Sequence, residues 1–134
     1  MPLASTRFFE PLLDLLGYVE HERGYNSGTR LTINLNPNAN IAFNIWEAKS
    51  ELKRHKFEVY EPGLHHVAFN ADTHERVDEV AMLVRGLGGT ILDGPGEFPF
   101  GIGGYYAVYF LGPDGLKFEV VYMPALAAHH RSGQ

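Results

Sequence analysis

Two histidines and one glutamate are the residues of this chain whose types and positions could do chemistry. His65 and His66 stand together in one apolar run, and Glu119 stands in another. An imidazole and a carboxylate can hold a divalent metal ion together, or they can pass protons to a bound molecule. An unpaired buried carboxylate is expensive, so Glu119 is expected to act in catalysis or to join a structural network with His66, Lys117 or Asn70.

Strand alternation predicts which side chains share a face with these groups, because successive side chains of a strand point to opposite faces. Residues 41–46, 64–70 and 116–122 each alternate between an apolar face and a face that mixes polar and apolar side chains. We expect the mixed faces to line a cavity where a small molecule binds. The side chains assigned to ligand binding are Asn44, Trp46, His66, Asn70, Tyr106 and Lys117.

Two amphipathic helices should support these strands. Residues 5–16 place apolar side chains on one face, although Pro11 interrupts the pattern. For the second helix, Asp72 is the predicted cap and Glu75 its capping-box partner. Gly88 and Gly89 should end that helix. Its predicted apolar stripe comprises Val77, Val80, Ala81, Val84 and Leu87.

The remaining segments predict seven strands in two sets. The first set is 18–23, 30–35 and 41–46, with turns at 24–28 and 36–38; the second is 64–70, 90–92, 105–111 and 116–122. In the second strand, Leu31, Ile33 and Leu35 share a face. Residues 93–104 form a predicted loop rich in glycine and proline, and 112–115 a hairpin turn. The charged segment 48–61 should be a solvated connector.

The two halves of the chain repeat each other. Each half has a helix followed by three strands, and Phe43 aligns with Phe118 in the last strand of each half. A strand precedes the helix only in the second half. We therefore predict an α+β fold of paired βαβββ modules, the first without its opening strand. The whole forms a single domain with module one at 1–47, the connector at 48–61, module two at 62–123 and a tail at 124–134.

Composition excludes several classes of protein. At 134 residues the chain fits one domain, and it contains no cysteine for a disulfide or a thiolate metal site. The net charge of −5 argues against nucleic-acid binding, and no apolar run approaches the roughly 20 residues of a membrane span. No signal peptide is evident, so a cytoplasmic location is expected. His129 and His130 are expected to be solvated or to form a weak metal site.

Four pieces of the sequence resemble the vicinal oxygen chelate superfamily, the group of glyoxalases, bleomycin-resistance proteins and extradiol dioxygenases. These pieces are STRFFEPLLDLLGY, PGLHHVAFNA, VDEVAMLVRGLGGTILDGP and YYAVYFLGPDGLKFEVVY. The resemblance implies that the sheets of the paired modules curve around a shared cavity. It also implies a divalent metal there, held by a histidine on the first strand and a glutamate on the last strand of each module.

Two of the four implied metal ligands have counterparts here. The second-module histidine falls on His66 and the second-module glutamate on Glu119. The first-module glutamate position falls on Asn44, and the first-module histidine position has no counterpart. The resemblance therefore implies an incomplete metal site at His66 and Glu119, with no cofactor or a weakly bound divalent metal.

Two functions remain open from the sequence. One is a metal-free protein that binds a small aromatic or amphipathic molecule in the cavity between the modules. The other is a metal-dependent lyase, isomerase or dioxygenase acting on a small oxygenated substrate, with Glu119 as a metal ligand or proton-transfer group. The missing strand would leave a sheet edge uncovered, and since such edges tend to be paired we expect a homodimer.

Overall fold

The computed structural model describes residues 4–101 and 103–127. The chain divides into two compact units, Met1–Lys56 and Phe57–Gln134, and the boundary falls inside the predicted connector. In the described residues, the first unit is a helix followed by three strands and a short 3-10 turn, and the second is a strand, a helix and three strands, after which residues 124–127 are helical. This order confirms the predicted α+β fold of paired modules. The predicted pair His129 and His130 lies outside the described residues.

The first unit opens with helix α1, Ala4–Leu15, close to the predicted 5–16. Its buried face carries Phe8, Phe9, Leu12 and Leu13. Pro11 lies inside the helix without ending it. The ring of Phe9 contacts that of Phe43, with centroids 5.6 Å apart. This contact joins the helix to the sheet of the first unit.

Three antiparallel strands form the sheet of the first unit: β1 at Val19–Asn26, β2 at Thr29–Asn36 and β3 at Ile41–Trp46, in that order. The predicted turn at 24–28 was too long. Strand β1 continues to Asn26, because Ser27 and Gly28 adopt the positive φ angles that a tight two-residue hairpin turn needs. A short 3-10 turn, Ser50–Leu52, follows the sheet.

The buried positions of β2 are polar. Thr32 and Asn34 are buried, whereas Leu31, Ile33 and Leu35 on the other face are half-buried. The side-chain amide of Asn34 donates to the carbonyl of Phe43 at 3.1 Å, which satisfies one of these buried groups.

The second unit contains a mixed sheet in the order β4-β7-β6-β5. Its strands are β4 at Val67–Asn70, β5 at Thr90–Glu97, β6 at Tyr106–Leu111 and β7 at Lys117–Tyr122. Strand β4 is shorter than the predicted 64–70, since residues 64–66 make no strand pairing. Strand β5 is longer than the predicted 90–92, because bulges carry it through the predicted loop as far as Glu97.

Helix α2, His74–Gly86, covers one face of this sheet. Its cap is Thr73 rather than the predicted Asp72, since the Thr73 hydroxyl accepts from the amide of Arg76 at 3.1 Å. Four of the five predicted stripe residues are fully buried, but Leu87 lies beyond the last helical turn and is partly exposed. None of the helices in the described ranges is long and apolar enough to cross a membrane.

Three stacked phenylalanines form the core beneath this helix. The Phe118 ring lies 6.2 Å from that of Phe69 on β4 and 5.9 Å from that of Phe110 on β6, centroid to centroid. All three side chains are buried. This stack fixes one face of the second sheet as the core face, and the residues between them on each strand must therefore point to the other face.

Candidate functional site

A row of paired residues crosses the second sheet on the face opposite the phenylalanine stack. Asp93 pairs with Tyr109, Tyr109 pairs with Glu119, and Glu119 pairs with Ala68. Directly paired residues of neighbouring strands share a face. The sheet thus gathers two carboxylates and a tyrosine on one surface, with the small Ala68 leaving space beside Glu119.

Glu119 lies at the centre of this surface, and its side chain is only 2% exposed. One carboxylate oxygen, Oε2, accepts a hydrogen bond from the hydroxyl of Tyr105. The other, Oε1, lies 3.0 Å from Nε2 of His66. Both oxygens of this buried group therefore have partners, as the cost of burying a carboxylate requires.

His66 reaches Glu119 from outside the sheet. It lies one residue before β4 and is therefore outside the strand. The predicted alternation, which placed His66 and Asn70 on one face of a strand, does not apply to His66. Its other ring nitrogen, Nδ1, lies 2.7 Å from Nδ1 of His65. His65 is exposed, and its ring packs edge-on against that of Tyr60. A continuous chain of polar contacts thus runs from the buried Glu119 to the surface.

A cavity of about 810 Å³ opens over this chain, and all of its lining residues belong to the second unit. Its walls are mainly aromatic and aliphatic. The apolar and aromatic lining residues are Val59, Tyr60, Leu92, Phe98, Phe100, Tyr105, Tyr109 and Leu111. The charged and imidazole groups are Glu58, His65, His66, Asp93, Lys117 and Glu119. Cavities with aromatic walls and a few convergent polar groups are typical of small-molecule sites.

Two of the three tyrosines that line the cavity, Tyr105 and Tyr109, are held in their neutral form. Burial raises the pKa of Tyr105, and its hydrogen bond to Glu119 raises it further. Burial also raises the pKa of Tyr109, and the nearby carboxylates of Glu119 and Asp93 add to that effect. Both hydroxyls are therefore hydrogen-bond donors across the physiological pH range.

Lys117 contributes a cation to the same wall. Its ammonium nitrogen lies 5.1 Å from the ring centroid of Tyr109, which is within the range of a cation–π contact. The predicted networks joining Glu119 to Lys117 or Asn70 do not form; of the predicted partners, the described hydrogen bonds of Glu119 include only His66.

The structure brings together two of the residues predicted to bind a ligand, His66 and Lys117, with Glu119, the predicted catalytic residue and metal ligand. The predicted position of Tyr106 near the cavity was wrong. Its hydroxyl donates to Asp78 of α2, because Tyr106 occupies the helix-facing register of β6. Asn70 lies at the end of β4 and does not line the cavity.

Asn44 and Trp46 belong to the first unit. Both are exposed on β3, on the face opposite the half-buried Phe43 and the buried Ile45, as alternation predicted. Neither lines the cavity of the second unit. Their part in ligand binding stays a prediction.

Sequence reasoning missed five aromatic side chains of the cavity: Tyr60, Tyr105, Tyr109, Phe98 and Phe100. A signal for Tyr105 and Tyr109 was present. In the hairpin, Tyr109 lies directly across from Glu119, and Tyr105 has the same parity as Tyr109. For the two phenylalanines no such signal existed, since they lie after the bulged end of β5.

The site offers few side chains that could coordinate a metal ion. The described residues include no group of three or more His, Asp or Glu side chains placed to hold one. His66 and Glu119 supply two donors, and each already has a hydrogen-bond partner. A catalytic metal site takes three protein ligands. Among the described residues, His66 and Glu119 thus supply two of the three protein donors that such a site takes.

Comparison with solved structures places this fold among glyoxalase-type proteins. A structure assigned as a glyoxalase from Bacillus halodurans is 26% identical, with a TM-score of 0.73, covering 90% of this chain and 86% of that one. A glyoxylase/bleomycin resistance protein/dioxygenase domain from Frankia sp. EAN1pec is 20% identical, with a TM-score of 0.70 and coverage of 89% and 86%.

A third similar structure contains a metal ion. It is a variant of the fosfomycin resistance protein FosX from Listeria monocytogenes, complexed with Mn(II) and 1S,2S-dihydroxypropylphosphonic acid. It is 22% identical to this chain, with a TM-score of 0.63 and coverage of 95% and 88%, so the likeness shows a shared fold alone. No curated protein sequence matches this chain.

The model of one protein family matches residues 8–120, which is most of the chain and includes both modules. The resemblance found in the sequence is thereby confirmed, and the chain belongs to the Glyoxalase/Bleomycin resistance protein/Dioxygenase superfamily.

Proposed function

We propose that this chain binds a small aromatic or amphipathic molecule in the cavity of its second unit, and that it does so without a metal ion. One observation carries the proposal. Glu119, at the implied metal position, already has a partner at each carboxylate oxygen, and the walls around it are aromatic. A site built this way offers stacking surfaces and donors to a ligand rather than open coordination positions to a metal.

The aromatic walls support binding by ring contacts. Phe98 packs edge-on against Tyr109, with centroids 5.2 Å apart, and Phe100 does the same against Tyr105 at 5.4 Å. Phe100 nevertheless remains 54% exposed. A bound molecule with an apolar body would cover this ring and remove its surface from water, which is favourable by about 25 cal/mol per Å².

A second candidate is a metal-dependent lyase, isomerase or dioxygenase acting on a small oxygenated substrate. The observation in its favour is that an imidazole nitrogen of His66 and a carboxylate oxygen of Glu119 lie side by side, 3.0 Å apart. A FosX structure with this fold binds Mn(II). Two protein donors would leave most of the coordination sphere to water, and we therefore expect only weak divalent-ion binding here.

Metal titration by calorimetry tests the choice between these functions. The tag-free wild-type protein, Glu119→Gln and Glu58→Gln would be titrated with manganese, nickel, zinc and iron(II). We expect weak, non-stoichiometric binding that differs little among the three proteins. Glu58→Gln is the matched control, since it removes a cavity carboxylate that has no described hydrogen bond or ion pair with His66. Tight stoichiometric binding that is lost only in Glu119→Gln would favour the enzyme.

The same variant needs a stability measurement, because Glu119 is buried. Glu119→Gln should keep the fold and lower the free energy of unfolding by about 1–3 kcal/mol, the usual cost of disturbing a buried polar group. Urea denaturation followed by circular dichroism measures this change. Assembly as a homodimer and a cytoplasmic location remain predictions that belong to this proposal.

A further inference from the structure

The charges that line the cavity are unequal in number. Three carboxylates, those of Glu58, Asp93 and Glu119, face one ammonium group, that of Lys117, among the described lining residues. Glu119 is buried and engaged by His66 and Tyr105. The other two carboxylates are exposed and belong to no described ion pair. Beside the imidazoles of His65 and His66, the described lining of the cavity thus carries more carboxylate than ammonium groups.

The ring faces of the wall are also suited to a cation. The ammonium nitrogen of Lys117 already lies over the Tyr109 ring, at 5.1 Å from its centroid. The negative face of an aromatic ring attracts cations, and quaternary ammonium ligands are commonly recognised by several such rings together. Lys117 therefore shows, within this chain, the contact that a ligand cation could make with the neighbouring rings.

From the surplus of carboxylates and the aromatic walls, we propose that the cavity selects an organic cation, an ammonium or quaternary ammonium group on an aromatic or alkyl body. The inference rests on the proposed function, binding of a small molecule in this cavity, and adds the charge of that molecule. The charged group would lie toward Glu58 and Asp93, and the apolar body against Phe98 and Phe100.

An organic anion fits the same surface less well. Among the described lining residues, Lys117 is the only lysine or arginine that could pair with an anion. Its ammonium group already contacts the ring of Tyr109. It would also have to approach two exposed carboxylates. Like charges brought together in a partly desolvated site repel each other more strongly than in water.

Three probes of similar size and different charge test the inference on the full-length protein. Benzyltrimethylammonium is the cation, phenylacetate the anion and benzyl alcohol the neutral reference, each titrated by calorimetry at low and at high salt. We expect the cation to bind about tenfold more tightly than either other probe, as cation–π and carboxylate contacts suggest. Its affinity should fall as salt is added.

Charge variants of the wall give effects of opposite sign. Asp93→Asn and Glu58→Gln should each weaken binding of the cation about threefold to tenfold and leave benzyl alcohol unchanged. Lys117→Met should strengthen binding of the cation, because it removes a repulsive charge and frees the face of Tyr109. Glu75→Gln, an exposed change on α2 outside the cavity, is the matched control and should change nothing.

The possible results separate this inference from the proposed function. Tighter binding of phenylacetate, weakened by Lys117→Met, would overturn the assignment of charge. Equal binding of benzyl alcohol and the cation would also overturn it, while the proposed function would stand. If none of the three probes binds at millimolar concentration, the proposed function fails and the inference fails with it.

Discussion

His66 and Glu119 lie 53 positions apart in the sequence, yet Nε2 of the first lies 3.0 Å from Oε1 of the second. The parallel pairing of β4 with β7 produces this contact, because it sets Ala68 directly beside Glu119. The histidine, two residues before Ala68, reaches one oxygen of the carboxylate from just outside the strand. Tyr105 completes the arrangement by donating to the other oxygen.

The hydrogen bond from Tyr105 should contribute to stability. Tyr105→Phe removes the hydroxyl that donates to Oε2 of Glu119, a carboxylate that is only 2% exposed. We expect the free energy of unfolding to fall by about 1–3 kcal/mol, the cost of an unsatisfied buried acceptor. Urea denaturation at pH 7 gives this value.

The neighbouring tyrosine supplies the control for that measurement. Tyr106→Phe removes a hydrogen bond to Asp78 that lies at the surface, where water can replace the lost donor. The change should therefore cost less than Tyr105→Phe, about 0.5–1.5 kcal/mol at most. Equal losses in the two variants would contradict the structural role assigned to the buried bond.

Glu47 should make stability depend on pH in the acid range. Hydrogen bonds from Arg30 and Lys53 lower its pKa from 4.5 to about 2. A carboxyl group with a depressed pKa stabilises the folded state above its unfolded pKa, and the contribution is lost as the pH falls toward 2. Wild type should thus be more stable than Glu47→Gln at pH 6, and the difference should shrink between pH 4.5 and pH 2. Denaturation curves of both proteins at several pH values and low salt measure this difference in the free energy of unfolding. A difference that stays constant between pH 6 and pH 2 would refute the role of Glu47.

Stability and binding should separate at two phenylalanines. Phe118 lies between Phe69 and Phe110 in the core, so Phe118→Ala should lower the free energy of unfolding by about 3–5 kcal/mol. Phe100 is more than half exposed and lines the cavity, so Phe100→Ala should change stability little but weaken binding of benzyltrimethylammonium. Thermal melts measure the loss of stability, and calorimetry measures the loss of binding. A large loss of stability in Phe100→Ala would contradict this prediction.

The first unit should pair with a second copy of the chain through an exposed strand. Strand β3 is at the edge of its sheet and exposes Ile41 and Trp46. Apolar edge strands tend to be covered by a partner. We expect a homodimer by light scattering, which Trp46→Lys converts to monomer. Leu52→Lys, an equally exposed apolar residue outside the sheet, is the control. A wild-type monomer at micromolar concentration would exclude this assembly.

Periodicity and strand alternation predicted most of the second unit correctly. The order of its elements, the antiparallel pairing of its last two strands and the placement of Glu119 with Lys117 on the cavity face all follow from patterns of period 2 and 3.6. The choice of Tyr106 failed although the same rule would have selected Tyr105 and Tyr109. Tyr109 of β6 lies directly across from Glu119 of β7 and Tyr105 has the same parity, whereas Tyr106 has the opposite parity.

Other parts of the site could not be predicted by a local rule. Residues 64–66 make no strand pairing although β7 already begins at Lys117, the register position beside His66, and such pairing between distant segments is a tertiary property. The bulges of β5 shift its pairing with β6 twice, and this shift is what carries Phe98 to the cavity wall. Bulges leave only weak traces in a sequence, since glycine and proline at 94–96 are equally typical of a loop.

The position of β4 has a consequence for how the protein opens. It is a four-residue edge strand that pairs, among the strands the structure describes, with β7 alone. Helix α2 and two strands separate these partners along the chain. Closing so long a loop carries an entropic cost, and detachment of β4 leaves the pairing of β5, β6 and β7 intact. The detached form has Glu119 without its imidazole. A ligand that contacts both His66 and Glu119 should therefore bind only when β4 is paired with β7. Such a ligand should slow hydrogen exchange of the β4 amides, and their exchange rates should report how much of the protein has the cavity occupied.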